Sequence, residues 1–305
     1  MAFANHDPYR AADFLDFHVF FNHGDPEQGD RDGFGGDLWK YGFFQQSYDP
    51  VTGSSDSLVR ARRHRIAHLL HWMRQYHVDG LRLDSVNNYG NWDFAGDVRG
   101  EARAAWQDRW RAEGNPADDA AAAARFLVVG EELSVPKDLL GRMDALWNED
   151  WKRLVRGVIL GHAADGESFE QSVSKLIDCR LMGFADGAQA VNYVGSHDVG
   201  GPGNERLFTY LKFVGRGQEA KRVKLAFACL LTAVGIPMIL AGDEFADEHD
   251  IDIFNGDRDG RTPDTNKQLD GELRSPGQRS GAPGHRPVRL APGSAAHPRG
   301  RLVRQ

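Results

Sequence analysis

Three acidic residues, Asp84, Glu131 and Asp198, each follow a short, mainly apolar stretch, and 47 and then 67 positions separate them. If the stretches are strands of one sheet, the three side chains converge despite that spacing. Two converging carboxyls can divide the cleavage of a glycosidic acetal, one ionised as nucleophile and the other protonated as general acid. Neighbouring negative charge helps keep the acid protonated. Arg82 stands two positions before Asp84. In an extended strand such residues share a face, so its guanidinium is placed to keep Asp84 ionised. A single acid at a strand end is ordinarily just solvated. Three in one arrangement, with His23 beside Asn22 and His197 beside Asp198, argue for a site.

Other chemistries fit less well. His18, His23, Asp16 and the acids Asp25, Glu27, Asp30, Asp32 and Asp37 offer oxygen and imidazole ligands. They lack the spacing of a calcium-binding helix–loop–helix, so a solvated acidic loop is the preferred reading and calcium the metal left open. His68 and His71 are three apart with no HExxH around them, which reads as surface or packing rather than zinc. No GxSxG supplies a serine nucleophile, and no GxGxxG follows a strand to cradle phosphate.

The elements that would position these groups follow from periodicity. Apolar, aromatic-rich residues 15–21 read as a strand, followed by a Gly/Asp-rich loop over 24–36. The spacing predicts helices over 57–77, 101–113, 118–124, 168–178 and 220–234. It predicts strands over 78–83, 126–129, 190–194 and 236–240. Strands alternating with helices imply parallel strands and helical crossovers, an α/β fold. Polar residues gathered at strand ends, with no phosphate turn, favour a (β/α)8 barrel over an open doubly wound sheet.

The 305 residues carry a net charge of −7, which argues against nucleic acid as the main partner. No apolar run approaches the roughly 20 residues of a membrane span. With two cysteines and no apolar leader at the N-terminus, a reduced, cytoplasmic setting is expected. Charge is uneven. Residues 271–305 hold seven Arg, no Lys and one acid, a tail of about +6 that leaves about −13 on residues 1–270. Six Gly, five Pro and no aromatic residue deprive the tail of a core, so it is expected to be disordered and residues 1–270 to form the catalytic domain.

At these positions the chain resembles the α-amylase superfamily, glycoside hydrolase family 13. HVFFNH (18–23), VDGLRLDSV (78–86), VVGEEL (128–133), NYVGSHD (192–198) and GIPMILAGDEF (235–245) look like five of its conserved segments, in the family's order. The resemblance implies a (β/α)8 barrel and retaining cleavage of α-1,4 or α-1,6 bonds in starch, glycogen or maltodextrin. The alternatives are a glucan branching enzyme or an inactive glucan-binding remnant. It makes Asp84 the nucleophile, Glu131 the acid/base and Asp198 the group that holds the sugar hydroxyls. Arg82, His197, His23 and Asn22 line the substrate, and Trp39, Tyr41, Trp92 and Trp147 are candidates to stack on sugars, although packing is the preferred reading of each. Glu132 rivals Glu131, but the family pattern sets the acid directly after the glycine. Two departures stand out. His18 occupies a position where the family carries Asp. The first segment, usually on the third barrel strand, falls at residue 18, so the first two strands and the C-terminal β-domain are expected to be absent. MDALWNEDWKRLV (143–155) resembles branching and trehalose-releasing enzymes. No cofactor is implied, and an α-glucan or maltooligosaccharide is the partner.

Overall fold

The computed structural model describes residues 21–22, 38–86, 91–131, 137–198 and 205–247. By contact density it separates into two units. The first comprises residues 1–193 with 230–238, and the second residues 194–229 with 239–305.

The frame of the first unit is a parallel sheet of five strands among the described residues: β5 (Gly80–Leu83), β6 (Leu127–Gly130), β7 (Ala145–Trp147), β8 (Ala190–Tyr193) and β9 (Ile236–Met238). They lie in sequence order, each paired in parallel with the next. Parallel neighbours need crossovers. Helix α1 (Arg60–Tyr76) precedes β5, and α2 (Trp92–Ala112) and α3 (Asp119–Ala123) join β5 to β6. Helices α4 (Glu149–Val158) and α5 (Phe169–Ile177) join β7 to β8. Between β8 and β9 run α6 (Leu207–Val214) and α7 (Glu219–Thr232). A sequential parallel sheet with helical returns is the repeating unit of the expected (β/α)8 barrel.

Each strand presents two faces of different character, as a period of two requires. Leu83, Val128, Leu146 and Ala190 pack with Leu69 and Met73 of α1 and Phe94, Val98, Ala102 and Trp106 of α2. The opposite face carries Ala145, Trp147, Val191 and Tyr193, backed by Leu127, Val129, Ile236 and Met238. Gly130 shows how closely the helix-side layer is filled. A β-carbon there would lie 2.9 Å from both Leu146 Cδ2 and Val86 Cγ2.

Several local expectations change. The helix expected over 57–77 begins only at Arg60, because Ser55–Leu58 forms β4, antiparallel to β3 (Gln45–Tyr48). Asp49 ties their turn, its carboxylate accepting from Val51 N–H at 2.8 Å. The helix expected over 101–113 starts nine residues earlier, where the Asn91 side chain caps Phe94 N–H at 3.1 Å. Gly96 and Gly100 mask its early turns in the sequence. Of the strand expected over 15–21, only Phe21 is described. Phe21–Asn22 (β1) pairs antiparallel with Leu38–Trp39 (β2), and residues 15–20 lie outside the described residues. The tail 271–305 lies outside the described residues. Among those described, no helix is long and apolar enough to cross a membrane.

Candidate active site

The site of the first unit forms where β5 and β6 end together. Past β6, the backbone N–H of Glu131 donates to Leu83 O at 2.9 Å, and Val86 N–H donates back to Glu131 O at 3.0 Å. These two bonds extend the parallel ladder by one step and bring Glu131 level with the turn that carries Asp84. In that turn Ser85 has φ 48°, a left-handed conformation uncommon for a residue with a β-carbon. Such backbone is characteristic of functional turns.

Arg82 connects the two acids. Its Nη2 stands 3.6 Å from Asp84 Oδ1 and contacts Glu131 Oε2 directly. The Glu131 side chain is buried, whereas Arg82 and Asp84 keep about a third of theirs exposed, 33% and 31%. Asp84 is thus reachable from solvent, and Glu131 is not. The guanidinium is also stacked, its centre 5.0 Å from the Trp147 ring centroid. The sequence suggested that Arg82 would serve Asp84. In the structure it serves both carboxyls, and the closer contact is with Glu131.

The second unit holds His197 and Asp198. His197 Nε2 lies 3.5 Å from Asp198 Oδ1, and Asp198 N–H donates to Ser196 Oγ at 3.3 Å. In the same unit Arg206 forms a buried pair with Asp243 at 3.0 Å and also donates to Ala241 O. A β-carbon at Gly195 would come 2.9 Å from Asp243 Oδ2, so this glycine lets the segment before Asp198 pass close to that pair.

The remaining candidates are placed as follows. Trp39 is 3% exposed, its ring stacked on His64 and lying under Arg65, so both are taken up by α1. Tyr41 is buried against Phe94, and burial raises its phenol well above the ordinary range. Trp147 is 4% exposed and engaged with Arg82. Of the four aromatics weighed for sugar stacking, Trp92 alone is only partly buried. Asn22 pairs with Leu38 through the β1–β2 ladder. His18, His23, Glu132 and the acidic loop 24–36 lie outside the described residues. Among the described residues no three His, Cys, Asp or Glu side chains cluster as metal ligands.

Sequence reasoning missed the layer behind Arg82. Tyr193 donates its hydroxyl to the buried Glu149 carboxylate, which Lys152 Nζ approaches at 3.3 and 3.4 Å. The signal was the polar run Asn148-Glu149-Asp150 directly after an apolar triplet. It repeats the pattern that marked the other strand ends.

This fold, with acids at the ends of consecutive parallel strands, is that of the catalytic barrel of α-amylase-type enzymes. A type I pullulanase from Bacillus subtilis, solved with maltose, superposes with a TM-score of 0.56 at 20% identity, over 81% of this chain and 34% of its own. In sequence, the chain is 26% identical to a maltogenic α-amylase of Bacillus acidopullulyticus over 57% of its own length and 25% of that protein. It is 22% identical to a malto-oligosyltrehalose trehalohydrolase of Saccharolobus solfataricus over 83% of its own length and 47% of that protein. The chain therefore spans between a quarter and a half of the length of these relatives. No family model matches it.

Proposed function

We propose that the chain carries the catalytic centre of a retaining α-glucoside hydrolase acting on α-1,4- or α-1,6-linked glucans. The observation that carries this reading is the convergence of Asp84 and Glu131 on one guanidinium nitrogen at the ends of adjacent parallel strands. Asp84, partly exposed, attacks the anomeric carbon as the glycosidic C–O bond breaks. Glu131, which takes up a proton once its carboxyl parts from Arg82, gives that proton to the departing oxygen. Water, deprotonated by Glu131, then cleaves the glucosyl–Asp84 ester and restores both groups. Asp198, His197, His23 and Asn22 take the sugar-binding roles that the resemblance to α-amylases assigns them. The names of the relatives, a maltogenic amylase and a trehalohydrolase, support an α-glucan as substrate. Cys179 and Cys229 are both free thiols, in keeping with a reducing, cytoplasmic setting.

The test is incubation of the purified chain with soluble starch, maltodextrin and pullulan. New reducing ends, lost in Asp84→Asn, are expected. A change of iodine colour without reducing ends would replace hydrolysis by branching. No change with either readout, from folded protein, would leave a glucan-binding remnant.

A further inference from the structure

One face of the sheet carries a continuous row of side chains that the two acids do not explain. Arg82 on β5 lies over Trp147 on β7 with its guanidinium 5.0 Å from the ring. Trp147 meets Tyr193 on β8 at 5.2 Å between ring centroids, inclined by 55°. Tyr193 donates its hydroxyl to Glu149, in the first turn of α4. Glu149 is held in turn by Lys152 Nζ and, at 3.5 Å, by Arg153 Nε. Glu149, Lys152, Tyr193 and Trp147 are all buried.

Buried ionic groups are a poor route to stability, because removing them from water costs about as much as their attraction returns. Their use here is explained better by what they hold. An arginine side chain has many rotamers, and Arg82 remains one-third exposed. Its contacts with Asp84 and Glu131 must also loosen when those groups react. The flat ring beneath it is independent of that chemistry, and a guanidinium above an indole face is attracted to the ring quadrupole. The ring can serve as a floor only if it cannot tip. Tyr193, anchored through its hydroxyl to a carboxylate that is itself doubly held, closes off that motion.

We infer that Trp147 is a positioning residue for Arg82, and that Tyr193 and Glu149 lock the Trp147 ring in place. The inference rests on the hydrolase reading for its effect on rate, but not for its effect on Arg82 itself.

Two readouts separate these. In the full chain, Trp147→Leu keeps an apolar group and removes the π face, Trp147→Phe keeps a ring, and Tyr193→Phe removes only the anchoring hydroxyl. Arg82 contacts both acids, so a shift of its side chain acts through them. Trp147→Leu is therefore expected to lower kcat on maltodextrin by roughly tenfold with KM nearly unchanged. Trp147→Phe should recover most of that loss, and Tyr193→Phe should fall between. Independently of any substrate, phenylglyoxal labelling of Arg82, followed by peptide mass mapping against Arg99 as internal standard, should accelerate severalfold in Trp147→Leu and Tyr193→Phe. Unchanged labelling of Arg82 in both variants, with melting transitions intact, overturns the inference. Should Trp147→Leu fail to fold, Tyr193→Phe carries the labelling test alone. A parent chain without glucan activity overturns the hydrolase reading while the labelling still decides this one.

Discussion

Glu131 and Leu83 are joined by a backbone hydrogen bond of 2.9 Å that lies just past the last paired residues of β5 and β6. One further rung of ladder has a large consequence. It sets the residue after Gly130 beside the residue after Leu83, so two acids 47 positions apart share one arginine. The backbone, and not a side-chain contact, aligns the pair.

Replacement of either acid by its amide should therefore remove activity and leave the frame standing. Asp84→Asn and Glu131→Gln are expected to lower kcat by at least roughly a thousandfold, since each retains shape but loses the ionisable group. Circular dichroism and melting should stay close to those of the parent. If Glu132→Gln abolishes turnover and Glu131→Gln spares it, the acid has been placed one residue too early.

Gly130 should tolerate no side chain. With a β-carbon 2.9 Å from the buried methyls of Leu146 and Val86, and 3.3 Å from Met143 Cγ, Gly130→Ala overfills the helix-side layer. Overpacking of this kind costs about 1–3 kcal/mol, read as a lower midpoint in urea. Because Glu131 is the next residue, activity should fall with stability. A variant as stable as the parent would show that the layer yields.

The Asn148 side chain makes three internal bonds, one of them from Nδ2 to Met182 Sδ at 3.6 Å. Its Nδ2 donates to Asn192 Oδ1 at 2.9 Å, and its Oδ1 caps α4 by accepting Trp151 N–H at 3.3 Å. Asn148→Ala loses the cap and leaves the Asn192 carbonyl oxygen without that donor in a buried site. Together these should cost roughly 2–3 kcal/mol of unfolding free energy. The double variant with Asn192→Ala should cost less than the sum of the two single changes, a coupling measurable by denaturant titration.

The thiols should be slow to react in the native chain. Burial raises both Cys179 and Cys229 above the ordinary thiol value, so the native thiolate fraction at mildly alkaline pH is small. Iodoacetamide at pH 8 is expected to modify both far more slowly in buffer than in urea. The linkage has a definite sign. A thiol raised in the folded state adds stability that is complete below its unfolded pKa. That stability is lost as pH climbs from there through the folded value. Rapid native alkylation of Cys179 would contradict its burial.

Legibility in the sequence varied for physical reasons. β5 and β6 could be read because each is a four-residue stretch stopped by an acid, β6 wholly apolar and β5 apolar but for Arg82. β7 could not, since three residues are too few to show alternation. The start of α2 was hidden by Gly96 and Gly100, whose poor helix propensity is overridden by the packing of Phe94 and Val98. Trp39 and Trp147 read alike, as packing residues before sugar platforms, and both are buried; the partners of each depend on which elements fold over them.

The sequence by itself determined the alternation of strands and helices, the order of the acids along the chain and the position of Asp84 and Glu131 at strand ends. These are local properties, carried by periodicity and by where an apolar run stops. Only the tertiary structure decided that Arg82 pairs with Glu131 as well as Asp84, that Trp147 lies beneath it, and that Tyr193 reaches Glu149. Each of those contacts crosses from one element to another. Its partner is set by register, in which Arg82 faces Val129, Val129 faces Ala145 and Trp147 faces Val191. Register comes from the packing of whole strands, and no single segment contains it.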